Sequence, residues 1–416
     1  MKMLKTFGIV ITLCSMLILP VCKTSAAQTF ETISFEQNIE QIFNKYSYYL
    51  DTKYNEEFQT WFFAAPTYDF PEWTFASDPR YLVSFATFYK YRALGEDQEA
   101  KIKISNAVRS AVFKQKIKAQ KAHSFDGAIT NFLIVRLLEQ MPDLLLPAEK
   151  RMYQMELLYH MPIALQAQDT ENRAALSGVY WYYVAKYLER NDLEVNQEIY
   201  DLINKKVEQS IIESVSIDFL YRENKQKDFS MHYHILEAYL LSIYGDWTKN
   251  INHVITGREM TKNFQYLTFK NGLLESAFGA RPQGSNMQTY LMAGLLSKRF
   301  KYNDFNVYLQ YLNNDRFFND SKNPCRLAWY STFEHDEKIY HDDYSFANIA
   351  ELALASESFG QFEYDIKPVI VDSDIKINNK TFYIKNQGSK IQFLDKIKNN
   401  QANIQLSSYG LTTKPY

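Results

Sequence analysis

Two short stretches of the chain bring together residue types that can hold a carboxylate and move a proton. Thr170-Glu171-Asn172-Arg173 stands at the predicted start of a helix, so Asn172 and Arg173 fall in a first turn. There the helix dipole is positive and main-chain N–H groups are unspent, a corner suited to an anion. The plainer reading is an N-capping threonine with solvated charges behind it. The second stretch is Tyr221-Arg222-Glu223-Asn224-Lys225-Gln226-Lys227-Asp228-Phe229-Ser230-Met231-His232-Tyr233-His234, leading into an apolar helix. His232 and His234, two residues apart, point about 200° from one another on a helix and cannot chelate one metal. Tyr233, between them, faces a third way and offers a phenol. The plain alternative is a helix start whose aromatic rings simply pack.

Two further segments carry polar groups. Gly279-Ala280-Arg281-Pro282-Gln283-Gly284-Ser285-Asn286-Met287-Gln288-Thr289-Tyr290 is a Pro/Gly turn feeding a helix. Arg281, Gln288 and Tyr290 there suit sugar hydroxyls and ring faces, unless the segment is an ordinary helix-to-helix turn. Glu334-His335-Asp336-Glu337-Lys338-Ile339-Tyr340-His341-Asp342-Asp343 sets two histidines among acids, but at no spacing that matches a metal site. Neither a metal nor an organic cofactor is expected.

At the first two stretches the chain resembles the alginate lyases of the toroid type. Those enzymes carry an Asn-Asn-His triplet near a helix start and, some tens of residues later, Glu-x-x-Arg-x6-Tyr-His before an apolar helix. Here Glu171-Asn172-Arg173 stands at the triplet and Glu223-x-x-Gln226-x6-Tyr233-His234 at the second run. Ser77-Asp78 echoes a Ser-Asp pair of the family's N-terminal cleft segment, with Trp73 where the family has a lysine. The resemblance implies β-elimination from a uronide. The C5 proton is acidified by neutralising the neighbouring carboxylate, a base removes it, and an acid protonates the departing O4. In that scheme Asn172 and Arg173 neutralise, Tyr233 is base and acid if a cation lowers its pKa from about 10, and His234 or His232 is the backup base. Two chemical positions depart from the family. Arg173 replaces its histidine, and Gln226, flanked by Lys225 and Lys227, replaces its arginine. Either the neutralising charge has moved to these neighbours or elimination has been lost.

The elements that must position these residues are helices. Apolar residues recur at helical spacing over 35–49, 79–95, 125–141, 147–166, 171–190, 194–214, 229–245, 284–300, 303–312 and 344–358. Short connections rich in Pro, Gly, Asn and Asp make consecutive helices antiparallel. The helix holding Val179-Tyr180-Trp181-Tyr182-Tyr183-Val184 is apolar nearly all round and must be packed on more than one side. The expected fold is therefore mostly α, an (α/α) toroid of antiparallel helical hairpins over 28–367, with Trp181 among the aromatics lining its cleft. From Pro368 the texture changes to Val369-Ile370-Val371 and an alternating Ile375–Ile384 around Asn378-Asn379, a strand hairpin. Residues 368–416 are expected to form a small C-terminal β appendage.

Composition narrows the function. Lys2 and Lys5, an apolar run near Phe7–Val21 and Ser25-Ala26-Ala27 read as an export signal over 1–27, which places the mature protein in the periplasm or outside the cell. Its removal takes Cys14 and Cys22, leaving Cys325 alone, so no intramolecular disulfide forms. It also takes Lys2, Lys5 and Lys23, moving the net charge from -2 to near -5. No basic stripe or RNA-binding motif marks a nucleic-acid partner, and no later run is long and uncharged enough to span a bilayer. The expected protein is a monomeric exported lyase acting on an acidic, uronate-containing polysaccharide or oligosaccharide. The alternatives are a non-catalytic glycan-binding or polysaccharide-export accessory protein on the same toroid, or a glycoside hydrolase, for which Asp126, Glu223 and Asp342 are the candidate carboxylates.

Overall fold

Helix signals in this sequence are strongest where aromatic and aliphatic residues cover most of the helix surface, and those segments form the centre of the fold. The computed structural model describes residues 34–63, 74–75, 78–118, 124–222, 229–269, 274, 287–302, 308, 319–320, 323–324, 375–378, 382–387, 390–396, 400–407 and 410–415. The chain divides into two compact units, residues 1–38 and 39–416. In the first, Ser34 and Gln37 cap the start of helix α1 (Phe35–Asp51) reciprocally. Gln37 N–H donates to Ser34 Oγ at 3.1 Å and Ser34 N–H donates to Gln37 Oε1 at 2.8 Å. The expected export signal over 1–27 lies outside the described residues.

In the second unit the helices form two rows. The inner row is α2 (Pro79–Phe88), α5 (Ser124–Gln140), α7 (Glu171–Glu189), α9 (Met231–Thr248) and α11 (Met287–Phe300), each packed on the next. The outer helices are α4 (Gln98–Lys118), α6 (Pro147–Leu165), α8 (Gln197–Ser214) and α10 (Ile251–Gln265); a short α3 (Lys90–Leu94) joins α2 to α4. Each outer helix returns antiparallel along the row, so every inner helix begins at the same end. Ala174 through Trp181 are all buried, as are Ile235 through Asp246, which is what helices packed on several sides require.

The sequence reading places no helix at α4 or α10, and the reason lies in their packing faces. The buried positions of α4 include Ala100, Ala107 and Ala111, and those of α10 include Gly257 and Thr261. Small residues give little hydrophobic contrast while allowing close helix approach. A Cβ on Gly178 would stand 2.7 Å from Val207 Cγ2 and 3.0 Å from the Ile203 carbonyl oxygen. One on Gly257 would stand 2.8 Å from the Ala238 carbonyl oxygen and nearer still to Ser242 Oγ. Gly257→Val is therefore expected to wedge α10 off α9 at a cost of about 1–3 kcal/mol. Urea unfolding measures it, and an unmoved midpoint would contradict this close approach.

Among the described residues, strands occupy three small antiparallel sheets. Strands β1 (Tyr54–Asn55), β2 (Thr60–Phe63) and β3 (Thr74–Phe75) form one, and β4 (Asn319–Asp320) and β5 (Asn323–Pro324) another. The C-terminal hairpin expected around Asn378-Asn379 is present, with β6 (Ile375–Asn378) pairing β7 (Phe382–Asn386). It continues through β8 (Lys390–Asp395), β9 (Asn400–Ser407) and β10 (Gly410–Pro415) as a five-stranded meander. Alternation buries Ile384, Asn386, Ile391 and Phe393. The Phe393 ring lies 5.9 Å from Phe229, and Asn386 Nδ2 donates to the carbonyls of Tyr266 and Thr268 at 2.8 and 2.9 Å. The appendage thus packs against the loops beside α9 and α10. Residues 344–358 and Val369-Ile370-Val371, and 303–312 apart from Tyr308, lie outside the described residues.

Candidate functional site

Because all inner helices begin at one end, their first turns form an arc, and side chains link each turn to the next. Asp78 caps α2, accepting from Arg80 N–H at 3.0 Å, and Arg80 Nη1 donates to Asp126 Oδ1 in α5 at 3.0 Å. The Arg173 guanidinium of α7 lies 5.3 Å from the centre of the Phe125 ring in α5. Asn172 Oδ1 accepts from the Tyr221 hydroxyl at 3.4 Å, and the Tyr221 ring is 5.9 Å from Tyr233 in α9. The Tyr233 ring is in turn 5.1 Å from His232, whose Nδ1 is 2.8 Å from Thr289 Oγ1 in α11. Positive helix ends converge on one rim with Arg173, Asn172 and the Tyr221–Tyr233 pair, groups able to hold a negatively charged ligand, while the charge of Arg80 is matched by Asp126.

Side chains of the outer helix α8 clamp the loop that delivers Asn172. Lys206 Nζ donates to the Ala167 carbonyl and sits 3.4 Å from Asp169 Oδ2. Gln209 Nε2 donates to the Asp169 carbonyl at 3.2 Å and to Glu213 Oε1 at 2.9 Å, and Glu213 Oε2 accepts from Glu171 N–H at 2.9 Å. Glu171 itself has φ 54°, a left-handed backbone that a side chain adopts only under tertiary constraint. The N-capping role expected of Thr170 is corrected: its side chain makes no cap hydrogen bond, nor does that of Ser230 before α9. In α7 the first N–H is held instead by Glu213, a side chain of the outer helix α8.

The structure brings Asn172, Arg173 and Tyr233 to this rim; Asn172 and Tyr233 are half-buried and Arg173 is exposed. It corrects three other assignments. His234 is fully buried, accepting from Tyr221 N–H through Nδ1 at 3.1 Å and bonding the Met260 carbonyl through Nε2 at 2.8 Å. With both nitrogens spent and its pKa lowered by burial to about 4, it holds the fold instead of serving as a base. Tyr290 is buried, its hydroxyl accepting from Leu274 N–H at 3.3 Å, and Trp181 is buried in mid-helix, so neither is a cleft-lining ring. Gln288 lies in the first turn of α11. Lys225, Gln226, Lys227, Arg281, Glu223, Ser77, Trp73 and the Glu334–Asp343 segment lie outside the described residues.

Sequence reasoning missed the linking role of Tyr221 and the contact of Thr289 with His232. It also missed Glu237, one turn beyond Tyr233 on α9. Glu237 is fully buried, Oε1 accepts from the Ser210 hydroxyl at 2.7 Å, and Oε2 has no hydrogen-bond partner. Burial, aided by the charge of Glu171, pushes its pKa up from 4.5 to about 7. An acid that keeps its proton only in the folded state costs stability as pH rises from 4.5 through about 7, by about 3 kcal/mol in all. Glu237→Gln should therefore raise the thermal midpoint above about pH 7 and leave it nearly unchanged toward about pH 4.5. Equal shifts at both ends would refute the buried, proton-holding carboxyl.

Neither a family model nor a curated protein matches this sequence. Among solved structures, the chain is similar to a variant of the unsaturated glucuronyl hydrolase from Streptococcus agalactiae in complex with dGlcA-GalNAc6S. The TM-score is 0.53 at 9% identity, covering 80% of this chain and 93% of that one. The unsubstituted enzyme gives a TM-score of 0.52 at 10% identity, covering 79% and 92%. The fold is an (α/α) toroid. The two rows of helices described above are its inner and outer layers, and the arc of first turns is one mouth of the inner layer.

Proposed function

We propose that this protein is an exported enzyme that cleaves an acidic, uronate-containing glycan at the arc of inner-helix first turns, by β-elimination. The observation that carries the reading is the contact chain Asn172–Tyr221–Tyr233, with the exposed Arg173 beside it. Asn172 Nδ2 and the Arg173 guanidinium neutralise the uronate carboxylate, which acidifies the C5 proton. The Tyr233 oxygen takes that proton; the electron pair forms the C4=C5 double bond and expels O4, which leaves with a proton from the tyrosine hydroxyl. The toroid likeness to unsaturated glucuronyl hydrolase structures supports an acidic glycan as the ligand class for this mouth.

A second reading, hydrolysis, is favoured by one feature of the same rim. The Asp126 carboxylate is held there by Arg80, with 40% of its side chain exposed. One ultraviolet assay separates the two. Elimination from intact alginate, pectate or hyaluronan creates the conjugated C4=C5 uronate and its absorbance rises. Hydrolysis of an unsaturated glucuronyl disaccharide consumes that chromophore and absorbance falls. A flat trace with every substrate overturns both readings and leaves the glycan-binding alternative.

A further inference from the structure

Resting on the glycan-processing reading, we infer that Glu213, on the outer helix α8, is a positioning residue for the proposed site: it holds the Thr170–Glu171 peptide in the orientation that sets Asn172 and Arg173 at the mouth. Both ends of that peptide are engaged. Its N–H, on Glu171, donates to Glu213 Oε2 at 2.9 Å, and its carbonyl, on Thr170, accepts from Arg173 N–H at 3.1 Å. The orientation is strained, since it leaves Glu171 at φ 54°, in the left-handed region that a residue with a Cβ rarely adopts. Turning the peptide over would return φ to the ordinary negative side. It would also take the carbonyl away from Arg173 N–H and the N–H away from Glu213. Asn172 and Arg173 follow this peptide directly, so the first turn that carries both side chains changes with it.

Glu213 is braced for this role. Gln209, one turn earlier on α8, donates through Nε2 to Glu213 Oε1 at 2.9 Å and to the Asp169 carbonyl at 3.2 Å. The buried Lys206 donates to the Ala167 carbonyl and lies 3.4 Å from Asp169 Oδ2. Positions 206, 209 and 213 share one face of α8, so three side chains grip the loop from Ala167 to Glu171 together. Charge by itself would disfavour an acid here. A carboxylate on the first N–H of α7 puts a negative charge beside the place where the substrate carboxylate is to be held, which opposes binding. Geometry and charge therefore predict opposite effects of removing Glu213.

The test compares Glu213→Ala in two backgrounds, with Glu171 and with Glu171→Gly. Oligouronates from alginate, pectate and hyaluronan are the ligands, read by calorimetric binding and by the ultraviolet assay. With Glu171 present, loss of the acceptor lets the peptide relax, and both binding and kcat/KM should fall about 10-fold. Glycine takes positive φ about as readily as negative, so in the Glu171→Gly protein the same substitution should lower them by no more than about 2-fold. A substitution that merely weakened α8 would give equal losses in both backgrounds. Equal losses, an unaffected Glu213→Ala, or the tighter binding that charge removal alone predicts each overturn the inference while leaving the function intact. If Glu213→Ala fails to fold, Gln209→Ala, which releases the Glu213 carboxylate from its brace, carries the same comparison. Wild-type protein that neither binds nor converts any of these oligosaccharides overturns the function and the inference together.

Discussion

Tyr233→Phe is expected to lower kcat on an oligouronate by roughly 10²–10⁴-fold while KM moves only a few-fold. The change removes one oxygen. The ring keeps its neighbours Tyr221 at 5.9 Å and His232 at 5.1 Å, so the helix start and the rim retain their shape. A loss confined to kcat identifies a group needed in the transition state but not for binding. Removal of the base also abolishes the limb of the pH–rate profile that it governs. Initial rates of chromophore formation across pH measure both. An unchanged kcat would remove Tyr233 from the proton transfer and shift attention to the rim carboxylate, with Asp126→Asn then the damaging variant.

The second large effect is expected at His234, and its consequence is structural. His234→Leu takes the His234 Nδ1 acceptor from the buried Tyr221 N–H, at about 1–3 kcal/mol, while the Met260 carbonyl, inside α10, keeps its helical donor. Chemical denaturation near neutral pH measures it, and activity should fall alongside because Tyr221 loses an anchor. The pH dependence carries a sign of its own. The folded imidazole is neutral until about pH 4, whereas the unfolded one protonates near 6.5. The unfolded state therefore binds more protons in that window, and wild-type stability falls as pH drops from 6.5 to about 4, by about 3 kcal/mol. His234→Leu removes that loss. A variant that keeps the full acid-side decline would show the decline to arise from other groups. Glu237 titrates with the opposite sign from 4.5 to about 7, so the double variant with Glu237→Gln separates the two contributions.

Much of the helical layout is legible in the sequence. The segments at 125–141, 147–166 and 171–190 coincide closely with α5, α6 and α7; α5 and α7, packed on several sides, are apolar on several sides, whereas α6 buries one stripe through Tyr153, Leu157, Met161 and Leu165. The Asn378-Asn379 hairpin is legible for the same local reason, alternation broken by turn residues. The outer helices α4 and α10 are not, since alanine, glycine and threonine on their inner faces blur the periodicity that marks an amphipathic helix.

The site divides similarly. Sequence by itself placed Asn172, Arg173 and Tyr233 at helix starts, because N-terminal positions follow from local spacing and from what precedes them. It also found the phenol and the anion-attracting dipole ends, which are properties of residue type and helix position. Only the tertiary structure decided which of these residues meet and which titratable groups reach water. Tyr221 touches Asn172 across 49 residues of chain and His234 across 13, contacts that no local pattern encodes. His232 and His234 are equally polar in sequence, yet one is partly exposed at the rim and the other is sealed beneath it. Helix periodicity sets the angle between two side chains, whereas the neighbouring helices set whether either one is desolvated, and desolvation is what turns a base into a structural strut.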